Sequence, residues 1–292
     1  MAILLNNETR VVIQGITGQV GSSYADRMKR YATPLVGGVT PGKAGQVVAG
    51  VPVFDSVRDA VVETGANISL IVVPAGLVAD AAIEAIDAGI RFLIIYTEHV
   101  PVLNALQLVE YARLHHTIVI GPNAAGVAVP DIANVSDIDD RWLLPGRVGM
   151  VSRSGTMTYE VLDGLQQKGE GISSLVCVGG DLIIGTRTAD VVEWFMADDE
   201  TEVIVMLGEV GGTAELDVLE RVDISRKPIV ACIAGLSVPQ GIPFGHVGAI
   251  VQGANDTASH KIRRLSAAGI QTVPLLTDVA TVVMRQLQTI KS

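Results

Sequence analysis

Short β-branched runs alternate with amphipathic helical stretches along nearly the whole chain, and no other feature restricts its fold as strongly. The first series of strands reads 10–14, 34–37, 68–73, 92–96 and 117–120, with helical segments at 19–30, 56–65, 77–88 and 101–115 between most of them. The rhythm then lapses. The segment 127–144 holds Pro130, the acidic run Asp137–Asp140 and no sustained period, and it reads as a linker. A second series follows, with strands at 148–152, 175–178, 202–207, 228–233 and 271–273 and helices at 155–168, 186–197, 213–222, 256–267 and 276–290. Continuous apolar strands separated by helices predict a parallel sheet covered on both faces. The expectation is therefore an α/β protein of two tandem, doubly wound parallel-sheet domains, 1–126 and 145–292. Each should bind ligands at the carboxyl ends of its strands.

Composition narrows the function classes. The 292 residues suffice for two ordinary cores, and 49% hydrophobic content describes a well-buried globular chain. No apolar stretch approaches the roughly 18 residues of a membrane span, and the N-terminus lacks the basic-then-apolar pattern of a signal peptide. A net charge of −10 and an aromatic content of 4% argue against a nucleic-acid binder. Cys177 and Cys232 lie in apolar runs and read as buried thiols of a reducing, cytoplasmic compartment, and no metal site is expected.

Two glycine loops carry chemistry. Strand 10–14 runs into Gly15-Ile16-Thr17-Gly18-Gln19-Val20-Gly21 and then a helix, an arrangement whose free N–H groups and positive dipole end attract phosphate. A dinucleotide site wants an acid near the end of the second strand. Here that strand leads to Gly37-Gly38-Val39-Thr40-Pro41-Gly42-Lys43, with no acid before the lysine. Lys43 suits a nucleotide bearing an extra phosphate, which describes both NADP and coenzyme A, although a solvated lysine after a turn is the plain alternative. Pro74 and the run Tyr96-Thr97-Glu98 end later strands, where the rest of such a ligand would lie.

The second loop, Val151-Ser152-Arg153-Ser154-Gly155-Thr156, again joins strand to helix, with Ser154 a natural N-cap. Glu209 is the one charged side chain in Met206-Leu207-Gly208-Glu209-Val210-Gly211-Gly212, and an isolated carboxylate there needs a partner. His246, alone among five histidines in lying between small residues (Gly245-His246-Val247-Gly248-Ala249), could supply one. A carboxylate on one imidazole nitrogen would leave the other free as a nucleophile. On the residues alone, a helix-capping Glu209 and an ordinary loop histidine fit equally well.

With these residues in view, the chain resembles the α subunit of succinyl-CoA synthetase, an NDP-forming acyl-CoA ligase. The similarity runs end to end through Gln14–Gly18, Gly37–Lys43, Gly121-Pro122-Asn123, Val151–Thr156 with Thr158-Tyr159-Glu160, Gly208–Gly212 and Gly245–Ala249. The resemblance implies a Rossmann-like CoA-binding domain followed by a flavodoxin-like ligase domain. It implies an acid–thiol ligase joining a carboxylic acid to CoA at the expense of ATP or GTP, through an acyl phosphate and a phosphohistidine. His246 matches the phosphorylated residue, through Nε2, and Glu209 its hydrogen-bonding carboxylate. Ser154, Gly155 and Thr156 match a phosphate cradle; Thr17, Gly18, Gln19, Val20, Lys43, Pro74, Tyr96, Thr97 and Glu98 match CoA contacts; Tyr159 and Asn123 match the acid site. It further implies an ATP-grasp β subunit, as αβ or α2β2, that binds the nucleotide with Mg²⁺.

Three departures bear on the acid. The family's Gly-Pro-Asn-Cys-Pro-Gly is Gly121-Pro122-Asn123-Ala124-Ala125-Gly126, its Gly-Gly-Asp-Pro-Ile-Pro-Gly is Gly179-Gly180-Asp181-Leu182-Ile183-Ile184-Gly185, and Ile242-Pro243-Phe244 replace basic residues before the histidine. A ligase for malate, citrate or another carboxylate is therefore a competing expectation. An NAD(P)-linked oxidoreductase and a non-catalytic CoA-binding subunit are two others.

Overall fold

The computed structural model describes residues 4–239 and 241–291, the side chains of 243, 244 and 291 excepted. Residues 1–3 of the signal-peptide argument and the apolar side chains of Pro243 and Phe244 lie outside that description.

The first unit runs β1 (Val11–Gln14), α1 (Gln19–Arg30), β2 (Leu35–Val39), β3 (Val47–Val48), β4 (Val51–Phe54), α2 (Val57–Thr64), β5 (Ile68–Ile71), α3 (Val78–Asp87), β6 (Phe92–Ile95), α4 (Val102–Leu114) and β7 (Ile118–Ile120). Its strands are ordered β3-β4-β2-β1-β5-β6-β7, and only β3 runs antiparallel to its neighbour. β1 pairs with β2 on one side and β5 on the other, so the strand order reverses there and a crevice opens beyond its carboxyl end. β1, β5 and β6 are buried at every position, which is why they read as largely apolar runs, with Gln14 and Ser69 the polar members, bonded to each other. Helix starts and stops follow local chemistry. Ser56 accepts from Asp59 N–H to cap α2, and Gly65 ends it in the left-handed conformation at φ 67°. α1 has no side-chain cap and no acid in its first turn, which leaves that end open to an anion. Gly21 lets α1 lie on the loop before it, since a Cβ there would sit 2.3 Å from the Gly15 carbonyl oxygen.

The second unit runs β8 (Gly126–Val129), β9 (Ala133–Ser136), β10 (Pro145–Ser152), α5 (Gly155–Gln167), β11 (Ile172–Cys177), α6 (Thr188–Ala197), β12 (Val203–Glu209), α7 (Asp217–Arg221), β13 (Ile229–Ala234), β14 (Pro243–Phe244), β15 (His246–Ile250), α8 (Ala258–Ala267), β16 (Gln271–Val273) and α9 (Leu276–Lys291). The order is β16-β13-β12-β10-β11-β8-β9, parallel from β16 to β11 and antiparallel at β8 and β9; β14 and β15 form a separate hairpin.

Both sheets are thus mixed at one edge, and two expectations are corrected. The segment 127–144 is not a free linker: β8 pairs with β11 and β9 with β8, and both strands are buried throughout. They form an antiparallel hairpin about the Pro130–Asp131 turn with no helix between them, so the strand–helix rhythm lapses there. The helix expected over 213–222 shrinks to Asp217–Arg221, because Glu215 turns inward to meet Lys261 and holds the preceding residues in a turn. One apolar cluster includes Val11, Ile13 and Ile94 of the first unit and Val127, Val135, Val151 and Met206 of the second, so the two sheets share core. Cys177 and Cys232 are buried and unpaired.

Candidate active site

Glu209 closes β12 and is 4% exposed. Its Oε2 lies 2.8 Å from His246 Nδ1, where the hairpin turns into β15. A carboxylate can only accept, so Nδ1 carries the hydrogen and the Nε2 lone pair is left available. The same hydrogen bond is the main reason that the imidazole pKa is raised, against an opposing effect of burial. The other oxygen, Oε1, lies 3.2 Å from Nε of Arg153, itself 8% exposed. The N–H is not aligned along that contact, so the attraction is Coulombic rather than a hydrogen bond. Gly180 makes room for the ring: a Cβ there would be 2.6 Å from His246 Cγ and Cδ2.

Behind Glu209 lies a pair with no exposure at all. Lys261 Nζ donates to Glu209 O at 2.7 Å, to Gly211 O at 2.9 Å and to Glu215 Oε2 at 2.5 Å. Glu215 Oε1 accepts from Glu209 N–H at 3.2 Å. The backbone that presents the carboxylate is therefore held from both sides.

His246 opens onto a cavity of about 280 Å³ lined from the first unit by Tyr96, Glu98, Asn123, Ala124 and Ala125, and from the second by Asp137, Arg153, Ser154, Gly155, Thr156 and Tyr159. Ser154 caps α5 by accepting from Met157 N–H. At the start of a helix the first N–H groups have no partner within the helix, and here Gly155 and Thr156 at that start line the cavity. The Tyr159 hydroxyl is committed to backbone: it donates to Asp137 O at 3.0 Å and accepts from Asp139 N–H at 3.0 Å. Burial raises the pKa of Tyr96, Tyr159 and Asp137 alike.

A second cavity, of about 490 Å³, lies beyond β1, β2 and β5 and is lined in part by Gln14, Gly15, Thr17, Gly18, Thr40, Pro41 and Pro74. Gln19 and Val20, exposed at the start of α1, border this loop. Thr97 links β6 to the end of β5 through its hydroxyl, which donates to Val73 O at 2.7 Å. Lys43 lines neither cavity; it is exposed on a turn whose N–H groups at 43 and 44 are both held by Asp55.

Of the residues singled out in the sequence, His246, Ser154, Gly155, Thr156, Tyr159, Asn123, Tyr96 and Glu98 meet in one cavity, with Glu209 directly behind His246. Thr17, Gly18 and Pro74 meet in the other. Sequence reasoning missed Arg153, Gly180, Asp137 and the Glu215–Lys261 pair. One signal was present for Lys261: it shares the spacing of Ala258 and Leu265, the buried face of α8. Among the described residues no cluster of metal-ligating side chains occurs and no helix is long and apolar enough to cross a membrane.

A CoA-binding domain model matches residues 6–99 and a CoA-ligase model residues 151–271. In that order the two units define an acid–thiol ligase of the CoA-dependent class. The succinate–CoA ligase [ADP-forming] α subunit of Aquifex aeolicus is 44% identical over 294 aligned residues, covering 100% of this chain and 96% of the relative. The α subunit 1 from Archaeoglobus fulgidus is 43% identical, covering 99% of each. The chain belongs to the succinate–CoA ligase α-subunit family. The structure of ATP citrate lyase from Methanothrix soehngenii in complex with citrate and coenzyme A superimposes with a TM-score of 0.88 at 23% identity. That match covers 99% of this chain but 51% of the longer one, so it speaks for the fold alone.

Proposed function

We propose that this chain is the α subunit of an NDP-forming acyl-CoA ligase and that His246 carries the phosphoryl group on Nε2. The observation that supports this most directly is the 2.8 Å contact between Glu209 and Nδ1, which leaves Nε2 available beside a cavity closed by the start of α5. An anion at that helix end is stabilised by roughly 0.3–2 kcal/mol. In the synthetic direction the nucleoside triphosphate phosphorylates His246, and the phosphohistidine passes its phosphoryl group to the carboxylate of the acid. The CoA thiol then attacks the acyl phosphate and releases inorganic phosphate. Ser154, Gly155 and Thr156 cradle the phosphoryl group, and Asn123 and Tyr159 border the acid.

The first unit suits CoA. The cavity at the uncapped end of α1 accepts a pyrophosphate, and Thr17, Gly18, Gln19, Val20 and Pro74 surround it. Lys43, reaching from its turn, meets a further phosphate. An elongated ligand laid across the carboxyl ends of β1, β5 and β6 passes Tyr96, Thr97 and Glu98 and brings its far end to the cavity below His246. Succinate, the acid in the relatives' names, is the first to test. The nucleotide belongs to an ATP-grasp β subunit, which binds it with Mg²⁺, in an αβ or α2β2 assembly in the cytoplasm.

The test uses the chain with its β subunit and γ-labelled ATP or GTP. Acid-labile label appears on the wild-type α chain and is absent from His246→Asn. Label that persists in the variant refutes the nucleophile assignment. Tight binding of NAD(P) in place of CoA would instead restore the oxidoreductase reading.

A further inference from the structure

Asp137 leaves β9 and enters the cavity below His246 with its backbone fixed. Its N–H donates to Ala125 O at 2.8 Å, and its carbonyl accepts from the Tyr159 hydroxyl at 3.0 Å. The carboxylate faces the start of α5, where a Cβ on Gly155 would lie 3.6 Å from Oδ1 and 4.0 Å from Oδ2. Oδ1 is buried and has no hydrogen-bond partner. Arg27 is near but does not fill the vacant position, since its Nη2 is directed at the carbonyls of Ser136 and Ile138. A carboxylate oxygen withdrawn from water is costly unless a donor meets it, and here the carboxylate borders the reaction cavity.

On the function proposed above, three reactants meet in that cavity. The phosphoryl group and the carboxylate of the acid are anions, which Asp137 repels. The CoA thiol is neutral, carries a proton, and must lose it to become the nucleophile. We propose that Asp137 is a further catalytic residue, the general base that takes the CoA thiol proton in the thioester-forming step. As the sulfur attacks the acyl carbon, the S–H proton passes to Oδ1 and the C–S bond forms. The C–O bond to phosphate breaks, with its electron pair leaving on inorganic phosphate. The proton then returns to solvent through the cavity. In the reverse direction the protonated carboxyl donates to the departing thiolate. This inference rests on the function proposed above.

The surroundings suit a base. Burial raises the Asp137 pKa, which brings it nearer that of a thiol, and Arg27 moderates the rise. From α1, Tyr24 faces it with Arg27; from α5, Tyr159; from β11, Cys177. All three are held neutral by burial, the thiol being pushed up to about 12. Across the cavity stand Tyr96, Glu98, Arg153 and His246. Glu98 is well exposed, and His246 and Arg153 are both engaged by Glu209.

The αβ complex allows each half-reaction to be read separately. Label on His246 from γ-labelled nucleotide requires neither acid nor CoA. Hydroxamate formed from the acid and hydroxylamine reports acyl phosphate without CoA. Thioester formation reports the thiol step. Asp137→Asn should keep the first two within a few-fold of wild type and slow the third by about a hundredfold or more. Its thioester rate should climb as the pH approaches the thiol value of about 8.5, while the wild type changes little. Asp137→Leu, which fills the site without a polar atom, should behave alike and guards against a fault peculiar to the amide. Thioester formation unchanged in both variants overturns the proposal. An equal fall in hydroxamate overturns it too, because Asp137 would then be serving the acid. Absence of label from the wild-type complex would instead sink the phosphohistidine reading, and this inference with it.

Discussion

Replacing Lys261 by methionine removes the ammonium from a pair that has no contact with water, and the consequences can be worked through. Glu215 would keep a negative charge at zero exposure, with only the Glu209 N–H left to stabilise it. Breaking a buried pair from one side costs about 3–5 kcal/mol. The carbonyls of Glu209 and Gly211 also lose their donor, each costing a further ~1–3 kcal/mol unless water enters. A loss of about 5 kcal/mol is the conservative sum, and for a chain of this size that lowers Tm by roughly 10–20 °C. Thermal unfolding followed by circular dichroism measures it. Adding Glu215→Gln removes the stranded charge, so the double variant should melt above Lys261→Met, with a coupling of about 1–3 kcal/mol. Phosphorylation of His246 should fall in the single variant, because the backbone presenting Glu209 loses its support. A Tm drop of less than about 2 °C, or a double variant that simply sums two losses, would refute the reasoning.

Two further outcomes follow from the geometry around the imidazole. The hydrogen bond to Glu209 raises the His246 pKa, so the pair's contribution to stability is complete below about 6.5 and is lost as pH rises through the higher folded value; Glu209→Gln should lower the imidazole midpoint seen by NMR and flatten that dependence, and an unmoved midpoint would refute the assignment. Gly180→Ala needs no unusual backbone angle, but its methyl would lie 2.6 Å from the ring, so the side chain must swing away; labelling should drop at least tenfold while Tm stays within a few degrees, and a fully labelled variant would show that the ring has another productive position.

The sequence was most legible where a single element carries its own signal. α1 occupies 19–30 as expected, because a glycine loop precedes it and its apolar face repeats cleanly. β16 likewise coincides with 271–273. Legibility failed where a residue's meaning depends on a distant partner. Asp137 read as part of an acidic run in a linker, yet β8 and β9 bring it back along β11 to the cavity. Arg153 lay inside a motif already singled out, but only the end of β12 reveals it as a neighbour of Glu209. Lys261 sat on a helix whose charge concealed that it belongs to the apolar face.

In the sequence, small residues on either side set His246 apart from the other four histidines. The structure gives several glycines in this region a more specific use, which is to let polar side chains lie directly against the backbone. The space a Cβ would occupy is taken at Gly180 by the imidazole, at Gly208 by the Glu215 carboxylate and at Gly248 by the Arg153 guanidinium. None of these three needs a positive φ. Gly211 combines both demands: its φ is 88°, and a Cβ would meet Gly248 O at 2.4 Å. Glycine in this part of the chain therefore shortens the distance between charges, so that one ion pair, one ring and one carboxylate fit within a few ångströms without water between them. A low local dielectric strengthens each of those contacts. That is the condition under which a single carboxylate can fix an imidazole tautomer, and it explains why residues with no side chain lie against this cluster of charged groups.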